Sequence, residues 1–498
     1  MMNRVSVSSP TISKPFLKVL LIASGGTLGA LIGLASTQGR LLLPALIVGI
    51  AIAFIGMLLV RNSFSTLPIL AILRWGFLIM LPAAIVGSIA AWPTFRTLSA
   101  FRLLYLGLCL GVVTWLLLKR RFSLKLKVGG FLLFLAFWIV WALGSLTWAV
   151  DKPAGIRYFI FLVMMVSLSI GTVLAVNSVK TVRILLVLLL LIFPVAIGVG
   201  LIEIVTDFRL STSTLVGRPE RFQWASTSFF HNQNDFATYI ALWLPFLLAP
   251  AFFSRRVSVV SAGVVCALTS IVCLLYTGSR TNMLAFALMV PSLLLVVVLR
   301  RGMSIKWWQA ALGLIILLGV ASVIYLGMSG SLPVLPLPGI GVQHWQFDTL
   351  ATEVAAATGS GGNRIKLITN GLVALLNSYL LGVGPGNAEY HLQHMPGTEA
   401  VSNLHNWWLE VLVNGGVFVF AGYLFFYAAL LYNLFQVAVK AKSETLAYAG
   451  ASLLTALVGY TFGALASSSA IHFTPMWIHF GLSLAVINVY RKHESDAR

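Results

Sequence analysis

Residues 184–206 read ILLVLLLLIFPVAIGVGLIEIVT, a run whose single charge is Glu203. A hydrocarbon core about 30 Å thick is crossed by about 20 apolar residues in a helix, so this run reads as a transmembrane helix. Working outward from it, comparable runs lie at roughly 16–36, 41–60, 67–91, 103–118, 128–147, 156–176, 236–253, 257–277, 283–299, 307–328, 406–436, 445–466 and 473–490. Together they make about fourteen spans. Composition agrees: of 498 residues 59% are hydrophobic and 9% charged, with mean hydropathy +0.96, whereas a soluble domain carries about 25% charged residues. A water-soluble enzyme is excluded. The fold class expected is an all-α polytopic membrane protein with a long, partly helical extracytoplasmic loop.

The net charge of +20 would suggest nucleic acid on a soluble chain, but here the placement of the charges decides. With a cytoplasmic N-terminus, 22 of the 33 Lys and Arg fall in segments on the inner side and only three of the 13 acids, Glu444, Glu494 and Asp496, join them. That bias is the positive-inside pattern. It predicts a cytoplasmic membrane protein with both termini inside, facing anionic lipid and binding no nucleic acid. Cys109, Cys266 and Cys273 all sit in apolar runs and define no disulfide framework. The N-terminal stretch, with Arg4, Lys14 and Lys18, resembles a signal peptide without a small-x-small cleavage site and reads as a retained first helix.

Most connections are short, and the two long ones, Asp207–Asp235 and Gly330–Leu404, lie on the outer side. Long loops of this kind are usually functional. The chain therefore divides into N-terminal helices (1–127), central helices with the outer loop 207–235 (128–328), a large outer loop (329–405), and C-terminal helices with a cytoplasmic tail (406–498). The large loop opens with Pro333, Pro336 and Pro338 and contains a helix-like run, Ile365–Leu381.

Polar side chains cluster on the same outer side. His231, His344, His391, His394, His405 and His472 fall there with Arg157, Arg209, Arg218, Arg221, Arg280 and Arg364. Three constellations stand out. Arg218-Pro-Glu-Arg221 precedes His231-Asn-Gln-Asn234-Asp235 at the start of a span, where Asn or Asp caps the helix and the arginines either anchor at the interface or form a cationic rim. Ser279-Arg280 occupies a tight outer turn, at a depth where a guanidinium snorkels to lipid headgroups or meets a diphosphate. In the large loop Asn363-Arg364 begins the helical run. Gly382-Val-Gly384-Pro-Gly386-Asn387 follows it as a turn or an anion-approach segment, without the Lys-Ser/Thr of a nucleotide P-loop. His391 and His394 have metal-ligand spacing but no clear third ligand. His405-Asn406-Trp407-Trp408 opens the next span, where a neutral imidazole can take a proton from a hydroxyl.

These residues resemble the O-antigen ligase and polymerase superfamily of bacterial membrane glycosyltransferases. The resemblance is carried, in order, by Trp148-Ala-Val-Asp151, Arg221 with Asn232-Gln-Asn234-Asp235, Ser279-Arg280, Asn363-Arg364, Leu381-Gly-Val-Gly384-Pro-Gly386-Asn387, and His405-Asn406 followed by Gly416. It implies transfer of a glycan from polyprenyl (usually undecaprenyl) diphosphate to an acceptor hydroxyl outside the cytoplasmic membrane, with no cofactor and no required metal. The acceptor is a glycan or a lipid core. Carried over by position, the resemblance makes His405 and Arg280 catalytic. Arg221, Arg364, Arg218, Asn406 and Asn234 hold the diphosphate or glycan, and the same chemistry serves either ligation of a finished glycan or polymerisation of repeat units. A departure is Asn414, where the family often has an acidic residue. The rival reading is a lipid-linked oligosaccharide flippase, which predicts ionisable residues near mid-membrane.

Overall fold

The computed structural model describes residues 69–87, 91–92, 95–118, 126–206, 208–216, 225–301, 359–398, 403–465 and 470–496. In chain order the helices are α1 (Ile69–Val86), α2 (Ala100–Leu118), α3 (Gly129–Ser145), α4 (Lys152–Ala175), α5 (Val179–Val205), α6 (Gln233–Leu248), α7 (Pro250–Phe253), α8 (Val257–Thr277), α9 (Arg280–Arg301), α10 (Gly359–Asn377), α11 (Ala388–Gln393), α12 (Trp407–Lys440), α13 (Glu444–Gly463) and α14 (Thr474–Asp496). A 3₁₀ turn, Ala470–His472, joins the last two. Seven helices among the described residues are long and apolar enough to cross a membrane. The expected spans at 16–36, 41–60 and 307–328 lie outside the described residues, as do residues 330–358 with His344. One feature departs from an all-helical chain: β1 (Ala91–Trp92) and β2 (Phe95–Ser99) pair antiparallel between α1 and α2. Strands this short leave no readable period in a sequence.

The chain forms two compact units, residues 1–76 with 105–124, and residues 77–104 with 125–498. In the described part of the first, Gly111 and Gly76 lie against the side chains of Leu73 and Leu108. In the second, α13 is the hub: it packs along α9, α12 and α6, while α14 packs along α4. Small residues permit this closeness, as where Gly459 of α13 lies on Met289 of α9. Large apolar side chains turned outward, such as Leu133, Val140, Leu191 and Phe425, suit a lipid surface rather than water.

Charges separate by end. At one end Arg300 donates to the carbonyls of Ala438, Val439 and Ala441 (3.0–3.2 Å) and pairs with Glu444 at 3.3 Å. There too Arg183 reaches Thr445, and Arg491 reaches Asn433 and the Lys127 carbonyl. The starts of α3, α5 and α13 and the ends of α9, α12 and α14 thus meet at a basic end, the grouping the charge pattern predicts. The starts of α4, α6 and α12 gather at the other.

Candidate active site

The second end is built around a break in α12. Gly416 takes φ 77°, ψ 179° inside the helix, a region that favours glycine. The segment Leu381–Asn387 threads into that break: Val383 N–H donates to the Val413 carbonyl (2.9 Å) and Val417 N–H to the Leu380 carbonyl (3.0 Å). Gly382, Gly384 and Gly386 all have positive φ. A Cβ at Gly382 would sit 2.5 Å from Gly416 N, and one at Gly384 2.8 Å from Ala149 Cβ. The glycines therefore serve close packing against α12 and the α3–α4 connection. Trp148 Nε1 donates to the Gly382 carbonyl (2.9 Å), and Asn387 Oδ1 accepts from Asp151 N–H (2.7 Å). Asn414 Oδ1 accepts from Ala388 N–H (3.0 Å), so the amide at this position ties α11 to α12.

Beside this knot α10 docks on the first half of α12. Leu367 and Ala374 join Leu404, Leu409 and Val413 in one apolar cluster, and Gly371 on the same face lets Leu404 approach. Arg364 lies one turn before Leu367 on that face. Asn406 caps α12 by accepting from Leu409 N–H (3.3 Å). His405, directly before it, has φ 46° and donates its N–H to Asn403 Oδ1 (2.9 Å). A non-glycine residue in this left-handed region carries strain of about 1–3 kcal/mol, held by its surroundings. Arg280 is the first residue of α9, after the left-handed Gly278 that ends α8.

Three of the expected site residues are linked through their charges, Arg364 being felt by His405 and itself feeling Arg280. Burial, and then the charge of Arg280, lowers the pKa of Arg364. Burial, and then the charge of Arg364, lowers that of His405, so its imidazole is neutral below the usual 6.5. Arg364 forms no ion pair among the described residues. Two guanidiniums and a neutral imidazole thus stand grouped and half-buried. Asn234 lies in the first turn of α6, its carbonyl accepting from Thr238. Asn232 caps that helix through Asp235 N–H (2.9 Å). Arg218 and Arg221 lie outside the described residues.

A cavity of about 790 Å³ opens at the same end, lined by the starts of α4, α6 and α12, the turn before α14, and α11. Asn403 and Leu404 line it, which sets His405 beside it in the chain. Its walls add Arg157, His231 and His472, which sequence reading noted but did not assign, together with Arg102 and Glu410. Glu410 is 9% exposed, buried beside Tyr158 and Ala470. The apolar spacing of α12 announces a helix, but only the tertiary fold reveals that Glu410 faces a cavity. Trp407, at the start of the same helix, is fully buried in the core and donates to the Tyr423 hydroxyl (2.8 Å). His394 stacks on Tyr390 (4.4 Å between centroids). Among the described residues no three His, Cys, Asp or Glu side chains form a metal group.

This helical bundle, with membrane-length apolar helices and at one end a polar cavity lined by charges of both signs, defines a polytopic membrane protein with a site at the bundle rim. The chain matches the O-antigen ligase family over residues 264–424, a stretch that includes Arg280, Arg364 and His405. It is 30% identical over 373 residues to the teichuronic acid biosynthesis protein TuaE of Bacillus subtilis (strain 168), covering 74% of this chain and 73% of that protein. The chain belongs to the O-antigen ligase and polymerase superfamily, whose members serve polysaccharide assembly in membranes.

Proposed function

We propose that the chain moves a glycan from a polyprenyl diphosphate carrier, undecaprenyl diphosphate in bacteria, to an acceptor hydroxyl on the outer side of the cytoplasmic membrane. The name of the Bacillus relative, which places it in teichuronic acid biosynthesis, favours polymerisation over ligation. The observation that carries the reading is the grouping of Arg280, Arg364 and His405. Guanidiniums held close in a half-buried site attract an anion whose oxygens fit their forks, and a diphosphate is such an anion.

The acceptor oxygen bonds to the anomeric carbon, and the bond from that carbon to the diphosphate oxygen breaks. The electron pair leaves with the lipid diphosphate, where Arg280 and Arg364, with Arg221 and Arg218 from the outer loop, stabilise the developing charge. The hydroxyl proton passes to the His405 imidazole, while Asn406 and Asn234 position the glycan. Attack opposite the leaving group inverts the anomeric centre and needs no metal. The test is to make His405→Ala, Arg280→Ala and Arg221→Ala separately and follow lipid-linked donor and polymer in membranes. Loss of polymer by a hundredfold or more with donor accumulating in the outer leaflet is expected. Normal polymer from all three rejects the proposal, and donor trapped in the inner leaflet makes the protein a flippase.

A further inference from the structure

The wall of the cavity on the α4 side carries a cationic group distinct from Arg280, Arg364 and His405. Arg157 and Phe161 lie one turn apart on α4. The Arg102 guanidinium stands 5.5 Å above the Phe161 ring, and His472 meets the same ring edge-on at 4.0 Å. Arg102, Arg157, Phe161 and His472 all line the cavity. Arg157 is exposed there and forms no ion pair among the described residues. Its own cavity also carries Asp235, Glu389 and Glu410: Asp235 accepts from Asn232 (2.7 Å) and Glu389 from Asn403 (3.0 Å), while Glu410 is buried beside Tyr158. None of the three forms an ion pair with Arg157 among the described residues.

We infer that this wall is a second anion site, in which Arg157, assisted by Arg102, binds an acidic group on the glycan acceptor. The inference rests on the transferase reading and names its acceptor as anionic. A transferase needs two substrates, and the chain provides two cationic groups, of which only that of Arg102 and Arg157 lines the cavity. One is placed for the leaving diphosphate. The other faces a cavity with the volume for a sugar chain, whose planar walls of Phe161, Phe230 and Phe473 offer apolar faces to pyranose rings. The anion is a sugar carboxylate or a phosphate on the acceptor, since both fit a guanidinium fork.

The probe is the lipid-linked glycan extracted from the host's own membranes, used as isolated and after carbodiimide and borohydride treatment, which reduces carboxylates to alcohols and leaves the diphosphate intact. Transfer and equilibrium binding are measured with the full-length protein in detergent, for wild type, Arg157→Ala and Arg157→Lys. Wild type is expected to prefer the untreated glycan by about tenfold in KM and Kd, the size of one charge-assisted contact. Arg157→Ala loses that preference, with kcat little changed, and Arg157→Lys restores part of it. Equal weakening of Arg157→Ala toward both preparations assigns the contact to a phosphate, on the acceptor if it persists with glycan freed from its carrier, and on the carrier diphosphate, which overturns the second site, if it does not. Arg157→Ala binding and turning over both preparations as wild type does overturns the anion site. If wild type releases no lipid diphosphate at all, the transferase reading fails separately, and the binding measurements still judge Arg157.

Discussion

At the scale of single residues, the neutral imidazole of His405 gives a signed expectation. Its pKa is lowered by burial and by the Arg364 charge, so the base form persists as pH falls below 6.5 and is lost only below the lowered value. Replacing Arg364 with Met removes the repulsion and raises that pKa. The acid limb of kcat/KM therefore moves toward higher pH in Arg364→Met, beside a drop in turnover, and a limb that stays in place would show that the two side chains are uncoupled. Glu203 is a second case. Fully buried at the end of α5, its carboxylate accepts from Thr227 N–H and Ser228 N–H (both 2.7 Å) and from the Ser226 hydroxyl (3.1 Å), with Arg209 3.8 Å away. It fixes the segment that delivers Phe230 and His231 to the cavity. Glu203→Ala orphans two buried donors, at about 1–3 kcal/mol each, so a fall of several degrees in Tm is expected in detergent.

At the scale of elements, the knot of the glycine segment and the broken α12 is the part where sequence reading stopped short. Gly382, Gly384, Gly386 and Gly416 were visible as glycines, but a turn and an anion-approach loop have the same composition. Only the approach of Gly382 to Gly416 N (2.5 Å for a Cβ) and of Gly384 to Ala149 decides for packing. Gly384→Ala meets both a positive φ of 94° and that contact, so about 2 kcal/mol or more of destabilisation is expected. Gly129→Ala, which meets open space, is the control, and equal thermal stability of the two variants would contradict the packing role. The spans themselves were legible because burial in lipid writes itself as unbroken apolar runs. The hairpin at 91–99 was not, because its strands are too short to show a period, and the break at Gly416 and the burial of Trp407 were not, because each depends on partners far along the chain. For the same reason Arg280, Arg364 and His405 were nameable one by one, whereas the cavity walls formed by Arg157, Glu410 and His472 were not.

At the scale of the whole molecule, sidedness joins these threads. Lys127, Arg183, Arg300 and Arg491 collect at one end of the second unit, and the cavity opens at the end where α4, α6 and α12 begin. Positively charged loops resist translocation, so the basic end is expected in the cytoplasm and the cavity outside, where a lipid-linked glycan presented for polymer growth would meet it. Two exposed positions report on this directly. Tyr379, 88% exposed, follows α10 beside the glycine segment, while Lys442 is exposed between α12 and α13 at the basic end. In a background with Cys109, Cys266 and Cys273 replaced by serine or alanine, Tyr379→Cys should react with a membrane-impermeant maleimide on intact cells, and Lys442→Cys only after permeabilisation. The opposite pattern would put the cavity in the cytoplasm, and an outward-facing transferase would no longer be tenable. Labelling of both positions on intact cells would instead show that the two ends do not lie on opposite faces of the bilayer, which the separation of charges along the bundle requires.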